Sequence, residues 1–354
     1  MSDLEKLRGE IDRVDDELAK LLDRRAALAQ KIGQLKGGAP AYRPERETQI
    51  LRRVSSLSAN LSPEKIVAVF REIISACRGL EQAIRVSYLG PEGTFSEQAV
   101  RKHFGAAVGA LSCASVDEAF RRCESGDAQF TVVPVENSTE GAVGRTLDLL
   151  LATPLRICAE VELRVQQNLM SREKALPSIR KIYSHAQSLA QCNGWLAQKL
   201  PGAERIPMAS NAEAAQRAAA EPGTAAIAGE AAAERYGLNV LEKSIEDNPN
   251  NTTRFLVLGR IEAGATGRDR TSLVLSAANR PGAVHALLTP LARHGVSMTR
   301  IESRPSKAGA LWEYVFFIDV EGHQQDPAVA SAIAELRASA PYLKVLGSYP
   351  VAVN

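Results

Sequence analysis

Asp247-Asn248-Pro249-Asn250-Asn251-Thr252-Thr253-Arg254-Phe255-Leu256-Val257-Leu258-Gly259 sets amides, hydroxyls and one guanidinium immediately ahead of a short apolar run. Asn, Pro and Thr favour a turn, because each fixes or hydrogen-bonds its own backbone, and the continuous run that follows reads as a buried strand. A polar turn that feeds a buried strand presents its side chains at the mouth of a sheet. Thr253, Arg254 and Phe255 are therefore candidate site residues, with Thr253 as a hydroxyl donor.

Four more blocks precede it in order: Tyr88-Leu89-Gly90-Pro91-Glu92-Gly93-Thr94-Phe95-Ser96, Pro134-Val135-Glu136-Asn137-Ser138, Tyr183-Ser184-His185-Ala186-Gln187 and Gly229-Glu230-Ala231-Ala232. From Arg85 onward short apolar runs such as Phe130-Thr131-Val132-Val133-Pro134 alternate with Ala-rich helical segments, the pattern of an α/β domain over 85–262. With its ordered blocks this region resembles the prephenate dehydratase family. The resemblance implies two α/β lobes, as in a periplasmic binding protein, with a cleft that closes on prephenate. It makes Thr253 the catalytic donor to the leaving ring hydroxyl, with Arg254 and Phe255 positioning the loop and substrate. Asn137, Ser184 and Gln191 match cleft positions, and Thr94 and Ser96 suit an anion at a helix N-terminus. His185 is left out of the chemistry as a structural hydrogen-bonder.

The chain has 354 residues, room for two or three domains, and a formal net charge of +2, which gives no global pull toward nucleic acid or polyanions. No apolar run approaches a membrane span and the first residues carry no signal-peptide core, so a cytoplasmic protein without membrane partners is expected. Cys77, Cys113, Cys123, Cys158 and Cys192 are scattered without metal-type spacing and read as reduced packing residues. No metal or organic cofactor is expected.

Residues 4–36 contain no Pro and carry Leu4, Leu7, Ile11, Val14, Leu18 and Leu21, then Leu28, Ile32 and Leu35, the seam of a coiled-coil-like helix. At 1.5 Å per residue such a helix runs about 50 Å, too long for one small domain to cover, so a second copy is expected as partner. Gly37-Gly38-Ala39-Pro40 stops it, Pro44 opens a second helix and Ser62-Pro63-Glu64 a third, which makes 1–84 an all-α domain. Arg25 falls in the apolar seam, where a lone cation is costly unless an anion meets it. Lys36, eleven residues on, lies on nearly the same face, while Arg8 aims elsewhere.

This domain resembles the all-helical chorismate mutase family through Leu7-Arg8, Arg24-Arg25, Lys36 and Arg46-Glu47. The resemblance implies an intertwined dimer. Arg8 of the partner, Arg25 and Arg46 would meet the carboxylates and ring side of chorismate, Lys36 the ether oxygen and a carboxylate, and Glu47 the hydroxyl. The chain departs from the common bacterial pattern at Arg43, Cys77 and Glu81. Glu81 stands where a Gln donates to the ether oxygen, so it is expected to be held protonated, with a mutase that weakens as pH rises.

After a Gly-rich, charged stretch at 263–270, read as a linker, residues 271–354 show the order βαββαβ of a ferredoxin-like unit. Asn279-Arg280-Pro281-Gly282-Ala283-Val284 and Glu302-Ser303-Arg304-Pro305 make it resemble an ACT domain. That implies L-phenylalanine as effector, bound by Asn279, Gly282, Ala283 and Val284 together with Glu302, Ser303 and Arg304. All three blocks point to one pathway, a bifunctional chorismate mutase and prephenate dehydratase under phenylalanine feedback, acting as a homodimer or higher homo-oligomer. The alternatives are a dehydratase whose degenerate mutase domain serves only dimerisation and, more remotely, an amino-acid-binding regulatory protein. Arogenate as a second substrate is left open.

Overall fold

Proline at the first helical position opens the second and third helices, and glycines follow the end of the first. The computed structural model describes residues 2–38, 40–57, 59–277, 280–305 and 314–353. The first helix, α1, spans Asp3–Leu35 and starts on a capping box in which the Ser2 hydroxyl accepts from the Glu5 N–H while Glu5 accepts from the Ser2 N–H. It ends where Gly37 and Gly38 take positive φ. Helices α2, Pro44–Ser55, and α3, Pro63–Glu81, each open on their proline.

The chain divides into two compact units, the first comprising the chain up to Ile84 with Phe104–Gly109 and Val353. Its small core is Leu51, Val67 and Ile74, with Ile50 and Phe70 packed against them. None of the 33 residues of α1 is buried. Leu4, Leu7, Ile11, Val14, Leu18 and Leu21 are between 51% and 59% exposed, a continuous apolar stripe rather than scattered surface leucines.

The second unit holds three sheets. In the first lobe the strand Thr252–Gly259 lies antiparallel between Phe130–Asn137 and Arg156–Arg164, and beyond Phe130–Asn137 follow Arg85–Leu89 and Gly109–Cys113. The second lobe orders Asn239–Glu242, Asn168–Ser171, Thr224–Ala228, Lys181–His185 and Glu204–Met208. Alanines at 214, 215, 218, 226, 228, 232 and 233 form much of its core, so helix Asn211–Ala220 can approach the sheet closely. Two strand connections link the lobes, and they hold each other: Val165 N–H donates to Asn251 O and Ile245 N–H to Gln167 O, both at 2.8 Å. The two-lobed fold read from the sequence is therefore present.

The third sheet runs Met298–Pro305, Tyr314–Glu321, Asp269–Ser276 and Tyr342–Pro350, with helices Ala283–Arg293 and Pro327–Ser339, the expected βαββαβ unit. Within the stretch 263–270, Ala263 and Asp269 are buried, and Asp269 accepts from Thr266 and Gly267, while Ala265, Gly267 and Arg268 are exposed. One face of this sheet completes the first lobe's core, where Val133, Leu147, Leu150, Ile157 and Leu256 cluster with Val274, Phe317, Leu346 and Tyr349. Among the described residues no helix is long and apolar enough to cross a membrane.

Gly347 marks how closely the two layers meet, since a Cβ there would lie 2.1 Å from Ile157 O and 2.9 Å from Ile157 C. Backbone cannot move aside as a side-chain tip can. Gly347→Ala is therefore expected to cost about 1–3 kcal/mol, read as a lowered midpoint in urea unfolding; an unchanged midpoint would contradict the close approach.

Candidate active sites

A cavity of about 730 Å³ opens between the lobes of the second unit, lined from the first lobe by Thr94, Phe95, Ser96, Pro134, Asn137 and Phe255 and from the second by His185, Ser188, Gln191 and Asn211. Asn251, Thr253 and Gln167 line it where the two connections pass. Thr253 is held there by register. It pairs across the sheet with Asn137 on one side and Leu163 on the other.

The polar side chains at this point form one ordered chain. Asn137 Oδ1 accepts from the backbone N–H groups of Thr139 at 3.0 Å and Glu140 at 3.2 Å, which fixes the orientation of its amide. Asn137 Nδ2 then donates to Thr253 Oγ1 at 2.8 Å and Asn251 Oδ1 at 2.9 Å. A hydroxyl oxygen that already accepts keeps its proton for another group. Thr253 is thus oriented as a donor.

Across the cleft, Gln167 Nε2 donates to Ser188 Oγ at 3.0 Å and Gln191 Oε1 at 3.2 Å. Asn211 Nδ2 donates to the same Ser188 Oγ at 2.9 Å. The Gly90–Ser96 turn is braced by Glu97, whose carboxylate accepts from Gly93 N–H at 2.6 Å and from Arg101 at 2.9 Å. Thr94 Oγ1 lies 3.2 Å from Leu89 O and accepts weakly from Glu97 N–H, so this hydroxyl serves the turn as well as the cavity.

Two expected cleft residues are elsewhere. Ser184 is fully buried, its hydroxyl 2.9 Å from Asn211 Oδ1 and 2.8 Å from Ile227 O, so it steers the cavity residue Asn211 rather than lining the cavity itself. Arg254 leaves the cavity because successive side chains in a strand point to opposite faces. Its Nε donates to Glu160 Oε2 at 2.8 Å, and its two terminal nitrogens donate to Asp319 Oδ2 at 2.6 Å and Tyr349 Oη at 2.8 Å. Arg270 also meets Glu160, and Ser272 bridges Asp319 and Tyr349. Arg254 is a structural hub, not a substrate contact.

In the helical unit Lys36 Nζ lies 3.1 Å from Glu81 Oε2. Glu81, expected to be held protonated, thus has a cationic neighbour. Glu47 is gripped by Arg78, which the sequence reading did not single out, at 2.6 Å and 2.9 Å. Burial pushes the Glu47 carboxyl up, against the opposing charges of Arg78, Arg71 and Arg25. Arg78 is itself buried, stacks on Tyr42 and Phe104 and donates to Phe104 O. Arg25 approaches Ile73 O at 3.5 Å, Arg43 pairs with Glu45, Cys77 is buried, and Arg8 and Arg46 are exposed. The five cysteines are free and buried, and burial raises the Cys123 thiol to about 12.

In the third sheet Gly282 takes φ +74° ahead of helix Ala283–Arg293, and Val284 is 41% exposed. Asn279 lies outside the described residues. Ser303 is exposed and Glu302 half-buried. Arg304, expected at the phenylalanine site, instead pairs with Asp148 at 3.1 Å and covers Gly144, where a Cβ would meet its guanidinium at 2.6 Å. Arg300 Nε likewise lies 2.9 Å from Glu136 Oε2.

These parts define a multidomain enzyme with one helical and one two-lobed active unit. Family models match in the same order: chorismate mutase type II over residues 7–82, prephenate dehydratase over 86–263 and the ACT domain over 271–338. The bifunctional chorismate mutase/prephenate dehydratase of Neisseria gonorrhoeae is 52% identical over 350 residues, 98% of this chain and 96% of that protein. The protein of the same description from Pseudomonas aeruginosa is 48% identical over 99% of this chain and 98% of its own length. A solved prephenate dehydratase from Arthrobacter aurescens in complex with L-Phe is 37% identical and superposes with a TM-score of 0.71, covering 75% of this chain and 90% of that one. The chain belongs to the bifunctional chorismate mutase/prephenate dehydratase family.

The Arg254 hub generates a stability prediction. Glu160 and Asp319 are almost wholly buried, at 0% and 6% side-chain exposure, and Arg254→Leu leaves both without that cation. The loss is expected to be about 3–5 kcal/mol, seen as early urea unfolding of the second unit. A variant as stable as the parent would show that Arg270 and Ser272 suffice.

Proposed function

We propose that the chain rearranges chorismate to prephenate in its helical unit and converts prephenate to phenylpyruvate, water and CO2 in the two-lobed cleft, with L-phenylalanine acting through the ACT sheet. The observation that carries the second step is the Thr253 hydroxyl, fixed by Asn137 with its proton free at the cavity wall. Hydroxide is a poor leaving group, and a placed donor at its oxygen lowers the barrier without ionising. Apolar neighbours Phe95, Pro134 and Phe255 give the departing carboxylate little stabilisation, which favours its loss as CO2.

For the first step the reading rests on Arg25 of α1, Lys36 at its end, Glu47 of α2 and Glu81 of α3: Arg25 approaches Ile73 O of α3, Lys36 meets Glu81, and the charge of Arg25 acts on Glu47. The rearrangement needs no covalent help, only a held conformer and charge near the breaking ether bond. Lys36 supplies that charge and exchanges Glu81 for substrate. Arg8 lies 28 residues from Lys36, about 42 Å along one helix, so it serves a site only in another copy. The exposed stripe of α1 supports a homodimer whose partner supplies Arg8.

Chorismate given alone to the purified protein is expected to yield phenylpyruvate, and added L-phenylalanine to suppress it. Accumulated prephenate would leave only the mutase reading. Thr253→Ala is expected to lower turnover of prephenate by about 10²–10³-fold while chorismate is consumed at the parental rate; near-normal dehydration would remove Thr253 from the chemistry. Leu18→Glu is expected to halve the mass in light scattering and abolish the mutase. A Leu18→Glu chain with the parent's mass would refute the α1 interface.

A further inference from the structure

We infer that Asn251 supplies a second hydrogen bond to the ring hydroxyl that leaves prephenate, acting beside Thr253. This rests on the dehydratase reading above. Asn251 is 2% exposed, lines the cavity and is held at its backbone, where its carbonyl accepts from Val165 N–H at 2.8 Å. Its Oδ1 accepts from Asn137 Nδ2 at 2.9 Å and from Thr139 Oγ1 at 3.0 Å. Because two backbone N–H groups fix Asn137 Oδ1, the Asn137 end facing Asn251 is its nitrogen, and the Asn251 end facing Asn137 is oxygen.

That assignment leaves Asn251 Nδ2, which is buried and finds no partner among the described residues. An amide nitrogen can only donate, and a buried donor left unmet is costly, so it is kept where something else uses it. Asn137 Nδ2 touches both Asn251 Oδ1 and Thr253 Oγ1, so the two free donors belong to one corner of the cavity. A single substrate oxygen can accept from both.

The chemistry gives that pair a use. The ring C–O bond breaks with its electrons going to oxygen, the bond to the ring carboxylate supplies the pair that completes the aromatic ring, and the carboxylate departs as CO2. The departing oxygen takes up one proton from bulk solvent and leaves as water, while Thr253 and Asn251 only hydrogen-bond to it. Charge grows on that oxygen alone in the transition state, and a second fixed dipole aimed there stabilises it more than it stabilises bound prephenate. Asn251 transfers no proton.

Asn251→Asp tests this, because the carboxylate keeps the acceptor that Asn137 and Thr139 need and replaces the donor by a charged oxygen. The kcat on prephenate is expected to fall about 10²–10³-fold at neutral pH and to recover relative to the parent as pH is lowered, when the protonated carboxyl regains an O–H donor. The urea midpoint of the second unit reports that the lobes are folded, since the mutase belongs to the other unit. A loss that stays flat with pH, or a kcat within a few-fold of the parent, overturns the inference. Should the Asp variant fail to fold, Asn251→Ala decides by its split: kcat lowered at unchanged KM supports the donor, and a raised KM at unchanged kcat overturns it. A parent without dehydratase activity would sink the underlying reading, whereas an active parent with a normal Asp variant sinks only the role of Asn251.

Discussion

Antiparallel pairing of the strand Thr252–Gly259 between Phe130–Asn137 and Arg156–Arg164 is the constraint on which the second unit depends. A strand paired on both edges cannot slip by one residue without turning every side chain to the opposite face. In its observed register Thr253 and Phe255 border the cavity and Arg254 points away from it. The same register sets Thr253 opposite Asn137, the residue that orients its hydroxyl. Chemistry on one face and ion pairing on the other are thus two readings of a single backbone position.

The face away from the cleft is as strongly determined. Arg254 reaches Asp319 and Tyr349 of the ACT sheet, Arg300 reaches back to Glu136 next to Asn137, and Arg304 reaches Asp148. Lys344 donates to the carbonyls of Leu150, Leu151 and Thr153, which end helix Gly144–Ala152. A shift of the ACT sheet would therefore be felt by the strands that carry Asn137 and Thr253. The phenylalanine feedback we propose needs a route of this kind, in which an effector favours one arrangement of packed elements over another.

Much of this was legible in the residues. Proline at 44 and 63 and the glycines at 37 and 38 mark the helix ends, and the turn residues before Phe255 mark the cleft. Arg254 reads as a site residue beside Thr253, yet the quoted stretch already holds the reason it turns away. If Thr253 faces a ligand, strand alternation sends Arg254 the other way. Ser184 and Arg304 were different, since their positions follow from Asn211 and Asp148, partners 27 and 156 residues away in the chain, which no local pattern announces. Arg78 was missed because a single Arg in an amphipathic helix looks solvated until Glu47, Tyr42 and Phe104 are folded around it. Asn251 stood in the decisive stretch, yet a spare donor becomes visible only after every other hydrogen bond of the amide has been assigned.

The length of α1 has a consequence in genetic terms. Arg8 and Lys36 sit near opposite ends of one helix, and in the homodimer we propose each mutase site takes one of them from each chain. A copy damaged only at Arg8 and a copy damaged only at Lys36 would each be inactive alone. Paired in a mixed dimer, they place both lesions in one site and leave the other intact. Two null alleles would then complement each other to about a quarter of full activity, since half of randomly assembled dimers are mixed and each keeps one site of two, a property of shared sites that a helix confined to its own domain could never confer.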